Sequence, residues 1–163
     1  MSLPMNFNEF AKPLSLYPAA DLLFVALGNE YRGDDAAGLL FLDKLKEMDL
    51  FHGVGLLHVF TNPENYLQQI LDSPARVVVF IDAARFGGEP GEIRWLDNSA
   101  IDTMGISTHA YSIQLVEKYL LNHRQFTFKY LGIEPLRTEV GDHLSSQVLT
   151  GIAVFFAHVY ENV

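Results

Sequence analysis

The sequence predicts an α/β protein, a single-domain three-layer α/β/α sandwich around a mostly parallel twisted sheet of about five strands. Three observations predict it. Continuous apolar runs at Leu22 to Leu27 and Val77 to Phe80 have the pattern of strands buried on both faces. Segments with helical spacing alternate with those runs, which calls for right-handed crossovers. A chain of 163 residues, 49% of them apolar and only 19% charged, is long enough to bury one substantial core.

Taken in order, residues 1–20 read as an irregular lead and residues 21–163 as the α/β domain. Leu22 to Leu27 is the first strand, closed by Gly28. Asp34 and Asp35 then open a helix over Ala36 to Met48, where Leu39, Leu40, Leu42, Leu45 and Met48 recur at helical spacing. Val54 to Phe60 is the second strand. Pro63 and Glu64 start a short amphipathic helix carrying Tyr66, Leu67, Ile70 and Leu71. Arg76 to Ile81 is the third strand, β-branched and ending at Asp82. Gly87, Gly88, Pro90 and Gly91 make a turn before Glu92 to Leu96, whose Ile93 and Trp95 alternate as in an edge strand. Ala110 to Leu121 is helical, Phe126 to Leu131 a strand, and Leu144 to Tyr160 a last helix. No internal repeat and no linker interrupts the pattern.

Composition removes several function classes. With 11 basic and 20 acidic residues, the net charge of −9 provides no field for a phosphate backbone, so no nucleic-acid partner is expected. There is no cysteine, which excludes disulfides, thiolate metal sites and a cysteine nucleophile. Any metal must be held by oxygen and imidazole. The first residues lack a basic start and a long apolar stretch, and no run approaches the roughly 20 residues of a membrane span. A cytoplasmic protein without membrane insertion is the expectation.

The stretch from Gly28 to Gly38 lies between the first strand and its helix. It lacks the Gly-Lys-Ser/Thr ending of a phosphate loop and the spacing of a dinucleotide fingerprint. That weakens a flavodoxin-like nucleotide or flavin binder. In open parallel sheets, ligands sit beyond the carboxyl ends of the strands, where Asp35 and Asp82 both emerge. Each has a bland reading: Asp34 and Asp35 as helix caps, with Asp34 the better cap and Asp35 left to aim across the crevice, and Asp82 as a turn residue. His109, just before a helix, reads alternatively as a loop or capping histidine. Together Asp35, Asp82 and His109 form an O, O, N set, too few protein ligands for a closed structural zinc site. Nickel, zinc and cobalt all suit such donors.

Several separated pieces carry a resemblance: Gly28-Asn29 with Gly33-Asp34-Asp35 and Gly38, then Ile81-Asp82-Ala83, then Ser107-Thr108-His109. Pro63-Glu64-Asn65, Pro90-Gly91-Glu92-Ile93 and Leu131-Gly132-Ile133-Glu134-Pro135 add to them. In this order they resemble the hydrogenase maturation proteases, from about Leu22 to the C-terminus, and the last three look like the subgroup acting on formate-hydrogenlyase-type hydrogenases. The resemblance implies a nickel-dependent endopeptidase that removes the C-terminal extension of the NiFe hydrogenase large-subunit precursor after nickel insertion. It implies Asp35, Asp82 and His109 as both catalytic residues and metal ligands. The nickel would be presented by the substrate, with zinc or another divalent ion able to substitute in isolation.

Two departures stand out. The family has a pair of glycines before the Thr or Ser of its second strand end, where this chain has His58-Val59-Phe60 ahead of Thr61; bulkier side chains there narrow the crevice or change which precursor fits. Arg137 to Gly141 does not align clearly with the family's pattern. His52, His58, His123, His143 and His158 have no matching role, although His58 lies near enough to a strand end to approach the crevice. The serine elbow, the His-Glu-x-x-His helix and the paired Asp-Thr/Ser-Gly motifs of other proteases are all missing. The rival from another class is a non-catalytic metal-binding or hydrogenase-docking maturation factor.

Overall fold

A computed structural model describes residues 4–98, 109–157 and 159. The elements are α1 (Phe7–Ala11), β1 (Leu22–Leu27), α2 (Ala37–Met48), β2 (Gly55–Phe60), α3 (Leu67–Asp72), β3 (Val77–Ala83), β4 (Ile93–Leu96), α4 (Ala110–Leu121), β5 (Thr127–Ile133) and α5 (Ser146–Ala157). Single 3-10 turns lead into α2 at Gly33–Ala36 and into α3 at Pro63–Tyr66. Ser107 and Thr108 of the third motif, and His158, lie outside the described residues.

The five strands lie in the order β2-β1-β3-β5-β4, all parallel except the antiparallel edge pair β4 and β5. Every residue of β1 and β3 is buried, as expected for strands covered on both faces. One face carries Phe24, Ala26, Val79 and Ile81 against Phe41, Leu42 and Leu45 of α2 and Ile152, Phe155 and Phe156 of α5. The other carries Leu23, Val25, Val78 and Phe80 against Ile70 of α3 and Ile113, Val116 and Leu120 of α4. The α2 connection runs one way along the sheet; the connections through α3 and α4 run the other way, on the opposite face. A single crossover hand requires this alternation. The direction changes between β1 and β3, which leaves a crevice at their carboxyl ends.

The lead expected to be irregular holds α1. A capping box makes so short a helix possible: the Asn6 side chain accepts from the Glu9 backbone while the Glu9 carboxylate accepts from Asn6. With five residues, α1 is too short to show periodicity. Its Phe10 is fully buried and stacks on Trp95 with ring centroids 5.4 Å apart, so the lead closes the core beside α2 and α5.

Strand ends shift slightly from the sequence pattern, with one functional consequence. β3 runs on through Asp82 and Ala83, because both continue the parallel ladder opposite Gly132 and Ile133 of β5. Asp82 is therefore a strand residue and not a turn residue.

Candidate metal centre

Three elements bring their donors to the crevice between β1 and β3. Asp35 sits in the 3-10 turn after β1, Asp82 near the end of β3, and His109 one residue before α4. Their ligand atoms all lie within 4.8 Å of one another, and no other such group occurs among the described residues. Asp35 and Asp82 are buried, and the His109 side chain is 11% exposed. The three residues singled out in the sequence thus converge, although they are separated by tens of residues in the chain.

Local backbone rules explain the placement of Asp35. Gly28 adopts a φ of +151°, and a Cβ there would lie 2.2 Å from the Asp35 carbonyl oxygen, so only glycine lets the turn fold back this closely. At Gly38 a Cβ would meet the carbonyl oxygens of Ile81 and Leu27 at 2.6 and 2.8 Å. The start of α2 therefore rests directly on the ends of β1 and β3. The Asn29 N–H donates to the Asp35 carboxylate at 2.8 Å, fixing its orientation toward the crevice.

His109 lies between the two carboxylates. Its Nδ1 is 3.0 Å from Asp82 Oδ2 and its Nε2 is 4.0 Å from Asp35 Oδ2. An ionised carboxylate only accepts, so Nδ1 carries the proton and donates to Asp82. Burial is the largest single influence on the imidazole and pushes its pKa down. The Asp82 hydrogen bond and the charges of Asp82 and Asp35 together outweigh it, against a smaller opposing effect of Arg32, and His109 titrates above its ordinary range. A proton here does electrostatically what a cation would do.

Asp34 does not cap α2, the role its position suggested. It is fully buried, and its carboxylate accepts the N–H groups of Leu136, Arg137 and Ser145 and the Ser145 hydroxyl, at 2.9, 3.2, 2.7 and 2.8 Å. Ser145 Oγ in turn accepts from the Val148 N–H at the start of α5. No sequence signal marks this clasp, because its partners lie more than 100 residues downstream. Glu134, also buried, plays a similar part at the end of β5 by accepting from Phe86 and Gly87 in the turn before β4.

Among the described residues, His52, His58, His123 and His143 are not part of the cluster. His58 Nε2 lies 2.8 Å from Asp43 Oδ1 of α2, near enough for an ion pair when protonated but not aligned as a hydrogen bond. It lines a groove of about 530 Å³ beside the centre, with Glu30, Leu40, Phe60 and Leu144. At the departure noted before Thr61, Phe60 has a φ of +56°, so the backbone keeps a glycine-favouring conformation under a bulky side chain.

Known proteins share this architecture. A family model described as hydrogenase maturation protease, of the HycI type, matches residues 41–160. A Methanocaldococcus jannaschii protein provisionally named a hydrogenase maturation protease is 26% identical over 121 residues, covering 70% of this chain and 72% of the relative. Among solved structures, the NiFe hydrogenase maturation protease HycI of Thermococcus kodakarensis aligns with a TM-score of 0.66 at 26% identity, over 87% of this chain and 91% of that one. The Escherichia coli endopeptidase HycI has the same fold, with a TM-score of 0.70 at 20% identity over 86% and 89% of the two chains. With a family match across most of its length and the same fold, the chain belongs to the hydrogenase maturation protease family.

Proposed function

We propose that this protein removes the C-terminal extension of a NiFe hydrogenase large-subunit precursor after nickel insertion, grasping the substrate's nickel with Asp35, Asp82 and His109. The observation that carries the proposal is the convergence of these three donors, two carboxylates and one imidazole within 4.8 Å, at the sheet's switch point. The donor set suits a borderline divalent ion, and three protein ligands leave positions for substrate groups.

A divalent ion at such a site polarises a carbonyl or acidifies a bound water. The protein's own residues do the rest. The Asn29 N–H holds the Asp35 carboxylate toward the crevice. Asp82 holds the imidazole ring through Nδ1, the kind of carboxylate contact that orients a metal-binding histidine. Burial excludes bulk water and strengthens the charges. His109 must lose a proton before it can ligate, so ion and proton compete for one place.

The test is trimming of a purified, nickel-loaded precursor. Asp35→Ala, Asp82→Ala and His109→Ala should each lower the rate by about two orders of magnitude or more, the scale of losing a metal ligand or general base. Their circular dichroism should match that of the unchanged protein. Normal trimming by Asp82→Ala would refute the assignment. Binding of the precursor without trimming by the unchanged protein would favour a docking factor instead.

A further inference from the structure

A groove of about 530 Å³ opens directly beside the three donors. Ala36, the residue after Asp35, lines its near end, and Leu39, Leu40 and Asp43 continue it along α2. Asp43 stands about two helical turns past Ala36, roughly 10 Å along the axis. The facing wall is the end of β2, with His58 and Phe60. The Gly28 N–H donates to the Phe60 carbonyl at 2.9 Å, which ties that wall to the stretch leading into Asp35.

The groove combines an apolar floor with an acidic rim. Leu39, Leu40, Phe60 and Leu144 supply the floor. Glu30 and Asp43 supply the rim; Glu30 is exposed, and the Asp43 side chain is 62% exposed. No lysine or arginine lines the groove. Lys44, next to Asp43, lies 3.5 Å from Glu47 instead. Among the described residues Glu30 has no charged partner, and Asp43 meets only His58, whose Nε2 is buried without an aligned hydrogen bond. Two carboxylates lining one small groove favour a cation between them. A side chain with an aliphatic stem and a charged tip satisfies floor and rim together. A bare ion has no use for the floor, and a purely apolar side chain leaves the carboxylates unanswered.

Resting on the function proposed above, we propose that this groove receives a lysine or arginine side chain of the precursor, its stem on Leu40, Phe60 and Leu144 and its charge between Glu30 and Asp43. The groove then selects which stretch of the precursor lies across Asp35, Asp82 and His109, without touching the reacting bond.

The first test titrates three probes into the full chain and follows backbone amides by NMR: N-acetyl-arginine methylamide, its norleucine counterpart and free guanidinium. The arginine probe should shift Leu40, Asp43 and Phe60. Norleucine, without charge, and guanidinium, without a stem, should each bind about fivefold or more weakly, the upper range for an exposed ion pair. The second test measures trimming of the nickel-loaded precursor by Asp43→Asn plus Glu30→Gln. Its KM should rise about fivefold or more while kcat stays within about twofold. Added salt should raise the KM of the unchanged protein and hardly that of the variant. Changing the precursor's lysines and arginines to glutamine one at a time should find one position that reproduces the KM rise and adds nothing in the variant.

Equal binding of the arginine and norleucine probes would overturn the proposal, leaving an apolar groove. So would an unchanged KM in the variant, or the lack of any basic precursor residue coupled to it. If the precursor is trimmed while the arginine probe shifts nothing, the groove assignment fails and the protease proposal stands. If the arginine probe binds through Asp43 and Glu30 and the precursor docks there uncut, the groove stands and the protease proposal fails.

Discussion

His109 gains its character from its neighbours. Its pKa is raised in the folded protein, so its contribution to stability is fully present below about pH 6.5, the unfolded value, and is lost as pH rises through the folded pKa. The metal-free protein should therefore lose stability over that window, while its zinc affinity rises over the same window as the competing proton leaves. Denaturant unfolding and calorimetry across pH would check both. Asp82→Asn removes the charge that holds the proton, and an NMR titration should show the His109 midpoint fall; an unmoved midpoint would contradict this account. Phe60 makes a different residue-scale prediction. Its positive φ costs a side-chain-bearing residue roughly 1–2 kcal/mol, part of which glycine returns as unfolded-state entropy. Phe60→Gly should raise urea stability by up to about 1 kcal/mol, and a clear loss would mean that the ring packs more than its exposure suggests.

At the scale of elements, the centre depends on α2 touching the ends of two strands. A methyl group at Gly38 must push the helix off the Ile81 and Leu27 carbonyls. Gly38→Ala should therefore cost about 1–3 kcal/mol, as overpacking does, and should slow trimming because the displaced turn carries Asp35. Thermal unfolding and a trimming assay on the same sample would check it; full stability with full activity would show that the helix has room to move. The elements themselves were legible. The unbroken apolar runs announced β1 and β3, and the leucine spacing announced α2. The α1 helix was not, since five residues carry no period and its signal is one capping box. The bounds of β3 were misread because a polar Asp82 looks like a strand terminator, whereas the ladder with β5 continues past it.

For the molecule as a whole, the aromatic part of the core around Phe10 involves none of the three donor residues, so it can be damaged without removing a ligand. Phe10 packs against Phe24, Phe41, Phe51, Trp95 and Phe155. Phe10→Ala should cost about 3–5 kcal/mol in denaturant unfolding. At temperatures where it remains folded the variant should still bind zinc, because none of these aromatic partners is one of the three donor residues. A loss of only a few tenths of a kcal/mol would show that the lead is a loose covering and not part of the core.

Composition and pattern were enough to settle what kind of molecule this is and which atoms were available to it. Apolar runs without alternation demand a sheet covered on both faces, and a chain without cysteine leaves oxygen and imidazole as its metal donors. The sequence also pointed to Asp35, Asp82 and His109. It could not say that they meet, because that depends on where the strand order reverses, a property of the whole sheet. It separated Asp34 from Asp35 but gave Asp34 the task of a helix cap, because no local rule reveals a partner so far along the chain. The turn points one carboxylate into the crevice and the other into a clasp with residues far along the chain, and only folding makes that distance short.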